Sequence, residues 1–427
     1  MSPSETSLPQ RPERARLGAS LAGPLLVTLL LRLVVIVAFA PPPSWDGTIY
    51  AALARSLASG QGYVHWDGSG RATAFFPVGY PAAIALALRV VRSTDVAVWA
   101  VNVVASIVGC ALVRWTAARL AGPRAGRRAA WAYALYPSLV LFSAAAMTET
   151  LQSTLLIATL ALVVAAHPAS EQQARTTLEG RSFVAAALAG VVLGLACFVR
   201  PQAIVLAPVV GALCGTTVRR RVGLAFVATA VVLALAAPWA ARNARALDAP
   251  TLYSTNGGSN LLIGTLASAR GGYRELTARD PCGLVAGEVR RDRCMTRAAL
   301  ARIAEAPAAW LALAPRKALK VLGYEWSAVS YLRSSSASFP QRIATPLAVV
   351  CTLAWWTLVA LATRAFAARR RVAPEAREGA RATRWFTAAA AASVLVVHVA
   401  FIADDRYHLV LVPLLIVLGA ATLETEK

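Results

Sequence analysis

Five short stretches of this 427-residue chain combine acidic, basic and aromatic side chains in ways that could do chemistry. Trp45-Asp46-Gly47-Thr48-Ile49-Tyr50 and Met147-Thr148-Glu149 each offer a carboxylate. Arg200-Pro201-Gln202 offers a cation, as does Pro238-Trp239-Ala240-Ala241-Arg242-Asn243, with Asn256, Gly257, Gly258 and Asn260 shortly after. Asp404-Asp405-Arg406-Tyr407-His408 carries both signs. Asp46 and Glu149 could take a proton or hold a divalent ion. Arg200, Arg242 and Arg406 suit a phosphate, which arginine meets as a planar, bidentate partner.

Each stretch also has a plainer reading. Asp46 would cap a helix running to Ser59, whose Tyr50, Leu53 and Leu57 form an apolar stripe. Glu149 suits the positive end of a helix dipole, and Arg200 can snorkel to lipid headgroups. Interfacial tyrosines such as Tyr63, Tyr80 and Tyr407 anchor membrane proteins as readily as they stack on a sugar. His65 and His408 read equally as bases, ligands or headgroup-facing side chains. Position decides between these readings, and position depends on the elements between the stretches.

Those elements are membrane spans. The chain is 57% hydrophobic and 15% charged, with a mean hydropathy of +0.57. A soluble chain of this size and composition would expose too much apolar surface. The expected fold is all-α and integral to the membrane. About ten spans are expected, near 17–40, 95–117, 129–147, 149–166, 182–199, 202–217, 222–241, 343–366, 385–402 and 407–423. The run from Leu17 to Ala40 is longer than the apolar core of a cleaved signal peptide and ends at Pro41-Pro42-Pro43. It reads as a retained helix. Pro81–Val91 is too short to span and reads as interfacial or re-entrant.

The net charge of +22 does not point to nucleic acid. Basic residues gather in short clusters between apolar runs, at 119–128, 219–221 and 369–384, where the positive-inside rule expects them. That rule puts the tail 1–16, the polar loop 167–181 and the C-terminus in the cytoplasm. The loop 41–94 and the long segment 242–342 then lie outside, the latter as small helices on the membrane surface. A core of 17–241, the outer segment 242–342 and a closing set of spans in 343–427 make up the expected organisation. All five polar stretches fall on the outer side. Mid-span positions are nearly all Ala, Val and Leu, which argues against a transporter with a polar midplane site. Cys110, Cys197, Cys214 and Cys351 lie in apolar runs as small hydrophobes. Cys282 and Cys294 stand in a polar stretch and would pair if it faces an oxidising compartment.

The order of these motifs resembles the GT-C superfamily of integral membrane glycosyltransferases, in particular the family of protein O-mannosyltransferases and aminoarabinose transferases. The resemblance runs from about residue 20 to the C-terminus. It rests on Asp46 and Tyr50, Gly60-Gln61-Gly62-Tyr63, Pro77-Val78-Gly79-Tyr80-Pro81, Tyr136-Pro137, Met147-Thr148-Glu149, Arg200-Pro201-Gln202, Pro238-Trp239 with Arg242-Asn243, and Asp405-Arg406-Tyr407-His408.

The resemblance implies transfer of a sugar from a polyprenyl-phosphate donor on the outer face, with Asp46 at the family's catalytic acidic position. Asp46 would be the general base and Arg200, Arg242 or Arg406 would meet the leaving phosphate. A single displacement with one base inverts the anomeric carbon. Glu149 would orient the acceptor or hold a divalent ion. Tyr50, Tyr63, Tyr80, Asn256, Asn260, Tyr407 and His408 would line the substrate. Where that family carries Glu after the aspartate, this chain has Gly47, and it shows no obvious appended outer domain. The acceptor is therefore expected among cell-envelope glycans, lipids and proteins. The competing reading is a polyprenyl-lipid flippase or exporter without sugar transfer.

Overall fold

The computed structural model describes residues 12–167, 178–367 and 377–420, and what it describes is built of helices. Six of them are long and apolar enough to cross a membrane: Ala22–Phe39, Thr94–Leu135, Gly180–Val199, Val218–Ala246, Gln341–Ala367 and Arg377–Ala400. The expected all-α membrane fold holds, and among the described residues a count of ten full spans is not confirmed. The reason is length. Glu149–Ala165 has 17 residues and Pro201–Cys214 is shorter, against the roughly 20 that a 30 Å hydrocarbon layer requires. Glu149–Ala165 is also enclosed, with Leu156, Ile157, Leu160 and Val163 all buried. Residues 168–177 of the expected loop 167–181 and residues 369–376 of the cluster 369–384 lie outside the described residues, as do residues 1–11.

Thr94–Leu135 contains two limbs. Helical geometry fails at Ala121 and at Gly122, whose φ of 89° suits only glycine, just before Pro123. The limbs fold back on one another so closely that a Cβ at Gly126 would stand 2.6 Å from the Ala118 side chain. This hairpin turns at the basic cluster 119–128.

At one end of the bundle the segments 41–94 and 242–342 are stitched together. The Glu288 carboxylate accepts from Thr73 Oγ1 at 2.6 Å, Ala74 N at 2.8 Å and Thr255 Oγ1 at 2.5 Å. Cys282 and Cys294 are joined as a disulfide, with Cα atoms 5.9 Å apart. It ties the irregular segment before Gly287 to the Glu288–Glu305 helix. Buried Lys317 donates to the carbonyls of Gly264 at 2.7 Å and Val399 at 2.9 Å, locking this cap onto the end of a long helix. Irregular backbone can gather here because its polar groups are satisfied by these side chains.

Candidate active site

Asp46 is the first residue of the Asp46–Ala58 helix, whose N-cap position is held by Trp45 without a side-chain cap hydrogen bond. The Asp46 carboxylate meets Arg406 Nη2 at 3.1 Å. Arg406 also donates to Met147 Sδ at 3.2 Å, and its Nε lies 3.8 Å from Glu149 Oε1 and 3.8 Å from Asp404 Oδ2. Glu149 Oε1 accepts from Arg200 Nη2 at 2.5 Å, while Arg200 Nε donates to Thr148 Oγ1 at 3.0 Å. Tyr407 lies beneath both cations, its ring centroid 5.2 Å from the Arg200 guanidinium and 5.4 Å from that of Arg406. The structure thus gathers Asp46, Glu149, Arg200, Arg406 and Tyr407 from four separated stretches.

Local backbone explains how they meet. Trp45 holds a φ of 54°, a region costly for a side-chain-bearing residue. At Gly47 an added Cβ would stand 2.7 Å from both the Ala146 carbonyl oxygen and the Ala146 Cβ. Glycine alone allows the Asp46 helix to touch the turn that carries Met147-Thr148-Glu149, and a glutamate there would not fit. The Tyr331 hydroxyl clasps both pieces, accepting from Ser44 N at 3.0 Å and Ala146 N at 3.1 Å. Tyr80 supports the same turn through Asn102, which donates to the Ala145 carbonyl at 2.7 Å. Tyr331 escaped the sequence reading, since nothing in its neighbourhood separates it from other interfacial tyrosines.

Exposure differs sharply across the cluster. The Asp46 side chain is 36% exposed, Arg406 14%, Arg200 11% and Glu149 1%. Among buried atoms, Glu149 Oε2 and Arg406 Nε have no hydrogen-bond partner. Burial alone would lower the Arg406 pKa, but Tyr407, Asp46, Glu149 and Asp404 hold it well above its ordinary value. Asp404 and Asp405 diverge. Burial and the neighbouring Asp404 charge push Asp405 up to about 7. Burial also works to raise Asp404, yet Arg406 holds it below its ordinary value. Asp405 Oδ2 accepts from Trp326 N at 2.7 Å and Ser327 N at 2.8 Å, which fixes the helix bearing Tyr331.

Tyr50 borders the cluster, within electrostatic reach of Asp46, Arg406, Arg200 and Glu149, and the other residues expected at the site make contacts outside it. Arg242 donates to the carbonyls of Thr73 at 2.7 Å and Tyr63 at 2.6 Å and packs over Trp239, bracing the 41–94 loop. Tyr50, Tyr63 and Tyr80 are all buried. Tyr50 packs edge-on to Phe76 and Tyr80, and Tyr63 donates to the Phe76 carbonyl at 2.9 Å. Asn256 accepts from Ser254 Oγ at 2.9 Å ahead of the Gly257–Thr265 helix, which contains half-buried Asn260. His408 is buried against Glu325, with Nε2 to Oε1 at 2.7 Å and its ring stacked on Trp355. Glu325 also accepts from Tyr136 at 3.2 Å and from Ser138. Glu325 is a second residue that the sequence reading passed over.

The residues present do not compose a divalent-metal site. Among the described residues no group of three or more His, Cys, Asp or Glu side chains converges. Glu149 and Asp46 each already face a guanidinium within ion-pair distance, which removes the uncompensated charge that such an ion needs.

No protein-family model matches the chain, and no curated protein matches it in sequence. Solved structures do. The oligosaccharyltransferase of Archaeoglobus fulgidus in its apo form aligns with a TM-score of 0.55 at 12% identity, over 96% of this chain and 50% of that one. The archaeal oligosaccharyltransferase AglB from the same organism, in complex with an inhibitory peptide and a dolichol-phosphate, aligns with a TM-score of 0.54 at 13% identity, over 97% and 50%. ArnT from Cupriavidus metallidurans bound to undecaprenyl phosphate aligns at 0.43 and 15% identity, over 96% and 78%, too distant to carry an argument. This chain spans about half the length of the oligosaccharyltransferase. At these identities the likeness establishes the fold alone, which this chain shares with the archaeal oligosaccharyltransferase.

Proposed function

We propose that this GT-C-fold chain transfers a sugar from a polyprenyl-phosphate donor to an acceptor hydroxyl, on the outer face of a cell membrane, with inversion. The observation that carries the proposal is the half-open Asp46 carboxylate held 3.1 Å from a buried arginine. A shared fold with a protein complexed with dolichol-phosphate supports a donor of that lipid class. The positions of the basic clusters 119–128 and 219–221 at the opposite ends of the spans support cytoplasmic termini and an outward-facing site.

The reaction is a single displacement. Asp46 accepts the acceptor hydroxyl proton as that oxygen forms its bond to the sugar's anomeric carbon. The bond from that carbon to the phosphate oxygen breaks on the opposite face, and the electron pair leaves with the lipid phosphate. Arg406 is central because it serves both charges. As Asp46 gains a proton its hold on Arg406 weakens, and the guanidinium is free to meet the negative charge growing on the phosphate. Arg200 adds a second cation and fixes Glu149. The unpartnered Glu149 Oε2 is available to accept from a substrate hydroxyl.

Purified protein in liposomes, given a panel of polyprenyl-phosphate sugars and native membrane extract as acceptor, tests the reading by mass spectrometry of donor consumption. Consumption of one donor by the native protein, reduced about 10²–10⁴-fold in Asp46→Asn, is the expected result. Undiminished consumption by a folded Asp46→Asn variant would remove Asp46 as the base. If no donor is consumed beyond the Asp46→Asn background, the transferase reading fails.

A further inference from the structure

Beside the carboxylate cluster lies a cavity of about 510 Å³, within the range of small-molecule sites. Trp45, the residue before Asp46, forms part of its wall, and Asp404, which stands beside Arg406, forms another. Tyr273 and Trp326 add aromatic surface, with Tyr273 71% exposed. Arg316 and Lys320 complete the lining, one helical turn apart on the Ala314–Leu322 helix. Lys320 is admitted by a gap in the backbone opposite, because a Cβ at Gly272 would stand 2.6 Å from its Nζ.

We propose that this cavity is the acceptor subsite and that it takes a glycan bearing an acidic group. The inference rests on the transferase reading above and adds the substrate class. A base must face its acceptor, and the cavity shares a wall with the residue preceding Asp46. Exposed aromatic rings suit the apolar face of a sugar ring, whose hydroxyls meet acceptors such as Asp404 Oδ2. Most of the other charges here are matched: Asp405 by two backbone N–H groups, Asp46 and Asp404 by Arg406, Glu149 by Arg200. Among the described residues, Arg316 and Lys320 have neither an ion pair nor a hydrogen bond. A neutral sugar would leave both cations unmatched, whereas a uronate or phosphorylated sugar would pair them. The lipid phosphate of the donor is already met by Arg406 and Arg200 in the proposed reaction, so these two cations fall to the acceptor.

Isothermal calorimetry on the full chain in nanodiscs tests this without turnover, so it stays readable even if no donor is ever found. The probes are digalacturonate, neutral galactobiose, triglutamate and undecaprenyl phosphate, each titrated into the native protein and into the Arg316→Gln/Lys320→Gln double variant. Thermal unfolding checks that the variant is folded, and the single variants serve if it is not. Digalacturonate should bind at least about tenfold more tightly than galactobiose and triglutamate, and the double variant should lose that preference while keeping undecaprenyl phosphate binding. Equal binding of both disaccharides, or a preference that survives the double variant, overturns the proposal. Triglutamate binding as tightly as digalacturonate would point to a peptide instead. Loss of undecaprenyl phosphate binding in the variant would return the two cations to the donor.

Discussion

Two carboxylate sites lie at the same end of this bundle, one around Glu325 and one around Asp46 and Glu149, and their surroundings differ in every respect that matters for chemistry. Glu325 is closed. It is 3% exposed, Oε1 is shared by His408 and Tyr136, Oε2 takes Ser138, and both His408 nitrogens are engaged. The Asp46–Glu149 cluster is open. Its leading carboxylate is 36% exposed, and the inner one keeps an oxygen without a hydrogen-bond partner among the described residues. A satisfied polar network specifies packing; an unsatisfied one at the edge of a cavity is poised for a ligand. Both sites combine a carboxylate with basic and aromatic side chains, so residue type alone does not separate them.

The contrast can be broken by exchange of phenotypes. Glu325→Ala strands His408, Tyr136 and Ser138 in the interior, and is expected to cost about 3–5 kcal/mol. The loss would be read as a lower unfolding temperature and poor recovery of folded protein. A variant with native stability would show that the closed network is not structural. Tyr331→Phe is gentler, since it deprives the Ser44 and Ala146 amides of one shared acceptor. It should cost about 1–3 kcal/mol and slow transfer roughly tenfold by loosening Asp46 against its turn. Native rates in that variant would mean that Asp46 is placed by other contacts.

The smallest expected effect concerns pH. Asp405 is raised from its ordinary 3.8 to about 7. The folded state therefore holds this proton more tightly than the unfolded chain. That contribution to stability is complete below about pH 4 and is lost as pH rises through 7. Unfolding temperature should drop by a few degrees between pH 5 and pH 8, and Asp405→Asn should flatten the drop. A native-like pH slope in Asp405→Asn would place the titration elsewhere.

Much of this was legible from the sequence, and the failures have physical causes. Apolar runs locate the helices because a bilayer demands them. They do not by themselves separate full spans from enclosed helices such as Glu149–Ala165, which are equally apolar and shorter. Asp46, Glu149, Arg200 and Arg406 could be singled out together because each ends an apolar run. Arg242 ends one too, and only its contacts with the Thr73 and Tyr63 carbonyls separate it from the others. Tyr50, Tyr63 and Tyr80 are aromatic enough for a sugar, and in the structure all three are buried among protein side chains. Tyr331 and Glu325 act through partners 83 to 287 residues away in sequence, a kind of link that local pattern cannot reveal. Gly47, by contrast, already differed from the family pattern, and its close approach to Ala146 gives the reason.

The most direct test measures sugar transfer and unfolding temperature together in Asp46→Asn and Glu325→Gln. The expected pattern is a folded Asp46→Asn protein of near-native stability with transfer reduced about 10²–10⁴-fold, beside a destabilised Glu325→Gln protein whose folded fraction still transfers. Full transfer by Asp46→Asn, or abolished transfer in a stable Glu325→Gln, would contradict the assignment of chemistry to the open cluster.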